Sequence, residues 1–366
     1  MKPTRRTVLT ALTTGVVGAA GCTAHRTGWD GGDGGKQDEP RTLDDEYLVW
    51  RVKTGGRVPT APTIDNGSLF VGSFDGNLYA LDAATGDEQW RSEIGGLLWA
   101  SPTVTEGKIY ISSFNHKIYA IRRFDGRELW SFEAGDKIGS TPALYDDVVV
   151  FGSYDSRVYA VSKQFGEFEW TYITDDWVTD DPTVVDGTVY VGSRDKRLYA
   201  LSAADGSLRW AFQSGQAVTN KPIVTDNTLY IGSDHFYALD RGTGEERWRW
   251  ETGPKVNTAA QLSHGNVYVA TRGADIAALD AETGELYWEV ELSERTINSS
   301  PTVAGDTLYV GDTRGFIHAF DAHTGEHRWR FHTGVAVNSS PVVVDDVLYI
   351  GSNDTHVYAL DVSEDP

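Results

Sequence analysis

The stretch ALDAATGDEQW, Ala80–Trp90, decides the reading of the chain because it recurs. ALSAADGSLRW ends at Trp210, ALDRGTGEERW at Trp248, ALDAETGELYW at Trp288 and AFDAHTGEHRW at Trp329. In-register tryptophans stand at Trp50, Trp90, Trp130, Trp170, Trp210, Trp248, Trp288 and Trp329, spaced by 40, 40, 40, 40, 38, 40 and 41 residues. A second ladder runs through Pro62, Pro102, Pro142, Pro182, Pro222, Pro301 and Pro341, with Ala260 in the remaining place. Two independent ladders with one period mark a repeat architecture.

Each unit reads as four short strands. In PTIDNGSLFVGSFDGNLYALDAATGDEQWRSEIG the apolar runs, rich in Val, Ile, Leu and Tyr, are broken at Asp-Asn-Gly, Phe-Asp-Gly-Asn and Ala-Thr-Gly. Glycine supplies the positive φ that such turns need. No stretch of the body carries a helical apolar period. Four strands per unit and eight units predict an all-β, eight-bladed β-propeller of four-stranded blades. The chain ends test this. The first repeat enters with one strand, YLVWRV at 47–52, and the last copy stops after three. The N-terminal strand joining the C-terminal blade would close the ring and hide its free edges.

The pattern Ala-x-Asp-x-x-Thr-Gly-x-x-x-Trp resembles the tryptophan-docking motif of the pyrroloquinoline quinone (PQQ) propeller repeat family, over residues 47–362. The resemblance implies that each indole is clamped between its own blade and the next. Trp suits that place, since it buries a large apolar area and keeps one N–H for a carbonyl. All seven turn glycines are present: Gly86, Gly126, Gly166, Gly206, Gly244, Gly284 and Gly325. The Asp place is looser, with Arg122, Ser162 and Ser202 departing from it.

Residues 1–22, MKPTRRTVLTALTTGVVGAAGC, read as an export signal. A basic start precedes a 13-residue apolar run, Val8 to Ala20, too short to span a bilayer as a helix. Arg5-Arg6 resembles a twin-arginine signal, and Gly18-Ala19-Ala20-Gly21-Cys22 a lipobox. Cys22 is the only cysteine, so no internal disulfide or Cys–His nucleophile pair exists, and Cys22 is assigned to lipidation. Residues 23–45, dominated by Gly, Asp and Pro, read as a flexible linker, and 46–366 as the propeller.

The sequence carries 53 acidic and 32 basic residues, a net charge of -21. That surface repels nucleic acid, which is excluded as a partner. Only 10 of the cations are Lys, and many carboxylates with little Lys resembles the surface proteins of extreme halophiles.

Function on such a ring is sought where the innermost strands reach the axis, in the segments ending at each Pro. The residues there are small or polar, and the candidate axial funnel is Trp99, Asp180, Asp181, Asn220, Lys221, Asn298 and Asn338, with Asp180 and Asp181 facing Lys221. His318, His323, His327 and His332 cluster in sequence but span a turn, and the turn carboxylates Asp75, Asp155, Asp195 and Asp354 lack an EF-hand's spacing. No metal site is assigned to either set. Quinoprotein dehydrogenases share the repeat, and the resemblance implies that their sites take a catalytic Asp, calcium ligands and often a cysteine pair, much of it on long insertions. Here the spacing never exceeds 41 residues and there is no cysteine pair. No cofactor is therefore assigned; PQQ with calcium is what the enzyme reading would require. The first reading is a monomeric, membrane-anchored, extracytoplasmic interaction scaffold without catalytic residues. It resembles the lipoprotein propellers of bacterial outer-membrane assembly, and its partner would be an envelope protein. A quinoprotein redox protein comes second and a small-ligand sensor at the axis third.

Overall fold

Each repeat folds into one antiparallel meander. In the first blade the strands are Thr63–Asp65, Ser68–Gly72, Asn77–Asp82 and Glu88–Glu93, paired in chain order from the axis outward. The computed structural model describes residues 25–29, 40–43, 45–253, 255–273, 275–292 and 296–363, and these form eight such sheets. The first hairpin is tight because Asn66 and Gly67 both take positive φ, 47° and 74°, as a two-residue type I′ turn demands.

Burial follows from stacking blade on blade. The two middle strands are covered on both faces by neighbouring blades, so Leu69, Phe70 and Val71 are all buried. That is why they read as unbroken apolar runs instead of an alternation. The outermost strand is covered on one side only, and its tryptophan is the exception that reaches inward. Ala80 stands opposite Trp90, and the register then slips so that Leu81 faces Glu88. The same bulge recurs in the other blades and re-aims the indole toward the next one.

The docking expected of the tryptophans is visible in its atoms. The indole N–H of Trp50 donates to Ala83 O (2.9 Å), Trp90 to Arg123 O (3.1 Å), Trp130 to Lys163 O (3.2 Å) and Trp170 to Ala203 O (2.9 Å). Trp210 donates to Arg241 O (3.2 Å) and Trp288 to Ala322 O (3.0 Å). Trp248 departs: its indole nitrogen is buried without a partner, and the equivalent carbonyl, Ala281 O, takes the Tyr230 hydroxyl instead at 2.7 Å. Where the motif's Asp is replaced, the turn finds another acceptor. Ser162 Oγ takes the N–H of Phe165 and of Glu167, and Asp125 takes that of Arg127.

Leu48–Lys53 pairs antiparallel with His356–Asp361 and completes the eighth blade. The ring is closed by the N-terminal strand, and Trp50 docks across that seam like the other indoles.

The linker reading of residues 23–45 needs correction. Within it, His25–Trp29 pairs in parallel with Leu286–Leu292, and Arg41–Leu43 with His327–His332, each as a fifth, outermost strand. The second of these fills a gap. Trp329 precedes the one blade whose motif has no turn glycine, yet it is fully buried, in a cluster with Leu43, Phe331 and Leu360, against which Tyr47 and Leu48 also pack. The predicted signal and Cys22 lie outside the described residues.

Candidate functional site

The residues preceding each proline sort by where their side chains bond. One position points into the blade. Thr60 Oγ1 donates to Gly72 O (3.0 Å), Ser140 Oγ to Gly152 O (3.0 Å) and Thr258 Oγ1 to Ala270 O (2.9 Å), tying the inner segment to the second strand. Asn220 occupies this position and uses its whole amide there: Nδ2 donates to Gly232 O and Oδ1 accepts Gly232 N–H. Its polar atoms are therefore committed to backbone, Nδ2 also reaching Val256 O (3.3 Å) beyond the blade's outer strand. Asp180 is the misfit in this set, since an ionised carboxylate has no proton to donate. It turns to Thr179, whose hydroxyl donates to it at 2.6 Å.

The flanking positions face the axis, where all eight blades enclose a polar cavity of ≈170 Å³. Trp99, Asp180, Asp181, Asn220, Lys221, Asn298 and Asn338 all line it. Two belts of hydrogen bonds run around its wall. In one, Asn257 Nδ2 donates to Asn298 Oδ1 (3.3 Å) and Asn298 Nδ2 to Asn338 Oδ1 (3.2 Å). In the other, backbone N–H groups donate to the next blade's side chain: Ser101 to Thr141 Oγ1, Thr141 to Asp181 Oδ1, Ala259 to Ser300 Oγ and Ser300 to Ser340 Oγ. Lys221 and Ala259 interrupt this belt, because neither side chain can accept. Just outside it, threonines at the heads of the inner strands donate to the next proline carbonyl, as Thr63 does to Pro102 O at 2.7 Å.

The charges in the cavity are coupled. Burial raises the Asp180 pKa to about 6, with a further push from Asp181 and partial relief from the Thr179 hydroxyl, Lys255 and Arg194. Burial also raises Asp181, against the pull of Lys221 and the Thr141 N–H. Lys221 thus acts on Asp181, and Lys255 and Arg194 act on Asp180. Lys255 was not singled out from sequence. It sits two residues before Asn257, donates to Thr219 Oγ1 at 2.9 Å, and is pushed below its ordinary pKa by burial.

The remaining candidates separate. His318 and His327 meet at 3.0 Å in the seventh blade, whereas His323 turns to Asp306 and His332 stacks on Phe316. Among the described residues no cluster of His, Cys, Asp or Glu is arranged to hold a metal. The turn carboxylates accept from their own loops and from a tyrosine four residues on: Tyr79 to Asp75 (2.6 Å), Tyr159 to Asp155 (2.5 Å), Tyr199 to Asp195 (2.6 Å) and Tyr358 to Asp354. Sequence reasoning also missed the aromatic rings around the cavity mouth, where Phe74 lies 5.4 Å and Phe114 6.3 Å from Trp99. These rings come from separate loops, and only the repeat period would bring them together.

A tricyclic quinone with calcium does not fit these residues. The cavity lies below the ~300–1,000 Å³ typical of small-molecule pockets, and its wall is held by direct side-chain contacts.

The family model described as outer membrane protein assembly factor BamB matches residues 41–174, 115–238, 174–256 and 233–364. Among solved structures, BamB from Moraxella catarrhalis is similar with a TM-score of 0.77 at 20% identity, covering 86% of this chain and 99% of that one. The quinohemoprotein alcohol dehydrogenase ADHIIG from Pseudomonas putida HK5 gives 0.71 at 16% identity, covering 88% and 78%. A computationally designed protein, Ika8, gives 0.76 at 16% identity, covering 85% and 98%. At these identities the likeness is one of fold. No curated protein matches the sequence.

Proposed function

The chain belongs to the PQQ-type propeller family described as outer membrane protein assembly factor BamB, and from that premise we propose that it is a non-enzymatic interaction scaffold. On this reading the propeller is held outside the cytoplasm by a lipid on Cys22 and presents its faces to an envelope protein. The narrow axis carries the reading. Within each blade the strands are joined by short turns, and much of the inner wall is engaged in its own hydrogen bonds. What remains for recognition is surface, and surface suits a macromolecular partner.

The small-ligand reading keeps one observation on its side. Asn257 lines the cavity and its Oδ1 is buried without a hydrogen-bond partner, a place for a water-sized or small polar occupant. The quinoprotein reading has only the shared fold.

The deciding experiment titrates the full chain with PQQ and calcium, followed by tryptophan quenching, alongside crosslinking at the cell surface. A defined crosslinked envelope protein and no quinone binding is the expected result. Saturable one-to-one quinone binding that disappears in Trp99→Ala would overturn the scaffold reading in favour of a redox protein.

A further inference from the structure

The chain enters the ring along its rim. His25–Trp29 pairs with the outer strand of the sixth blade, Arg41–Leu43 with that of the seventh, and Leu48–Lys53 is itself the outer strand of the eighth. The first two pairings are parallel, with His25 opposite Trp288, Trp29 opposite Leu292, Arg41 opposite Trp329 and Leu43 opposite Phe331. A parallel partner copies the direction of its neighbour, so the blades fix the polarity of this strap.

The two ends of a blade differ. In the sixth blade the outer strand, Leu286–Leu292, leaves the turn at Thr283 and Gly284. At its far end Glu291 stands opposite Asp275, whose carbonyl closes the neighbouring turn with Thr271 N–H. From there the chain runs on to Asn298 and Ser300 in the wall of the axial cavity. One end of the blade therefore carries the turn glycine, and the other adjoins the cavity mouth. His25 lies toward the glycine end and Trp29 toward the mouth end, so the strap joins the rim from the glycine end.

Where a fifth strand is seated, the outer strand beside it is well covered. Val290 and Phe331 are buried, whereas Phe132, Tyr172 and Phe212 hold the same position in the second to fourth blades and are only half-buried.

Distances along the chain decide what this does to an anchor. Cys22 is three residues from His25, a reach of about 10 Å at full extension. His25 stands two residues from the start of Leu286–Leu292, about 7 Å, and four from its end, about 13 Å. The reach clears the glycine end of the strand and falls short of the mouth end. A free tether over residues 23–45 would instead let a lipid on Cys22 range over roughly 25–30 Å in any direction.

We propose that the strap fixes how the propeller meets a lipid bilayer: the glycine end of the sixth blade is held at the membrane, and the axial mouth is turned away from it. The second blade, across the ring from the sixth, then stands farthest out. The inference rests on lipidation of Cys22 and deepens the scaffold reading, since it leaves the mouth face open to a partner. Glu282 and Glu285 are exposed at the glycine end and offer an anionic bilayer no attraction, so the short leash sets the approach.

Cys22 is the only cysteine, which gives the test two arms. In the full chain made without lipidation, nitroxides on Cys22 and at Glu282→Cys report their separation by pulsed electron resonance. A short, narrow distance is expected. Arg26→Pro combined with Thr27→Pro should broaden it, because proline removes a ladder N–H. In the lipidated chain an introduced cysteine is the sole free thiol. A fluorophore at Glu282→Cys should lose most of its emission on vesicles of phosphatidylcholine and phosphatidylglycerol that carry nitroxide headgroups. The same fluorophore at Arg272→Cys, at the mouth end of that blade, or at Arg127→Cys in the second blade should keep its emission. Cys22→Ser, which cannot take the lipid, should leave the chain off the vesicles.

A broad distance between the two nitroxides, or equal quenching at positions 272 and 282, would overturn the orientation and leave the anchor reading intact. A Cys22→Ser chain that stays on the vesicles would overturn the anchor reading, and the orientation with it.

Discussion

Gly206 lies against the indole of Trp170: a Cβ built on it would stand 2.5 Å from Trp170 Cε3, and its φ is +72°. Two separate demands therefore keep this position glycine, a left-handed backbone and contact with the preceding blade. Gly67 separates them, since it has φ +74° with nothing within 4 Å of its Cβ direction. Gly67→Ala should cost only the conformational penalty, about 1–2 kcal/mol. Gly206→Ala should cost about 3–4 kcal/mol, because overpacking adds to it. Urea denaturation of both variants checks this. Equal losses would show that the indole yields without strain and that docking is looser than its geometry.

That contact explains why the fold was legible. Gly and Trp stand four residues apart in one hairpin, each serving the junction on one side of its blade. The blade junctions are therefore written in a short repeated motif, the turn glycine failing only at the blade that follows Trp329. The axial wall was legible for a related reason, since each proline marks where an inner strand begins. Its chemistry was less so. The Asn220 amide is committed to Gly232 while Asn298 and Asn338 join each other around the cavity wall, and a list of polar residues does not distinguish the two. Of the mouth only Trp99 was legible. Phe74 and Trp99 come from different loops and meet only because the ring curves them together. Arg41–Leu43 was hidden by its length, three residues being too few to show a period beside a Gly- and Asp-rich stretch.

Leu43 tests that hidden strand. It is 4% exposed and packs in the cluster that covers Trp329, although its surroundings in sequence resemble a linker. Leu43→Ala should destabilise the propeller by about 2–4 kcal/mol, as for other buried leucines. A flexible tether would tolerate the change. A denaturation midpoint within error of the wild type would mean that this strand does not stay docked in solution.

Asp180 supplies a pH dependence of unusual sign. Its folded pKa, about 6, lies above the usual carboxylate value of 3.8, with burial the main cause. Asp181, Lys255, Arg194, Tyr154 and the Thr179 hydroxyl act on it. Between pH 4 and 6 the folded state holds this proton more tightly than the unfolded state. The stability it contributes is therefore present below the unfolded pKa and lost as pH rises through the folded one. Asp180→Asn should be more stable than the wild type at pH 7, by about 1–3 kcal/mol. Near pH 3 the two should converge. Asp75 works the other way. Burial alone would raise it, but hydrogen bonds from Tyr79, Asn77 and Gly55 outweigh that and hold it below 3.8. Its contribution is present at neutral pH and lost in acid, as pH falls through its lowered folded value. Thermal melts across pH, compared between wild type and Asp180→Asn, separate the two signs. A constant difference at every pH would remove titration of Asp180 as the cause.

In the seventh blade His318 stands where other blades place the carboxylate-bound tyrosine. His318 Nε2 lies 3.0 Å from Asp312 Oδ2 and Nδ1 lies 3.0 Å from His327 Nε2, with His318 and Asp312 fully buried. The chain is satisfied when Nε2–H donates to the carboxylate and Nδ1 accepts from His327. His318→Phe keeps the ring volume but withdraws the donor from a buried charge, which retains the N–H groups of Arg314 and Phe316. A cost of about 2–4 kcal/mol is expected. Tyr79→Phe removes the matching bond from the partly buried Asp75 and should cost about 1 kcal/mol. Chemical denaturation of the two variants at one pH makes the comparison. If His318→Phe proved no costlier than Tyr79→Phe, the buried Asp312 would be supported without the histidine, whose ring would serve only to fill space.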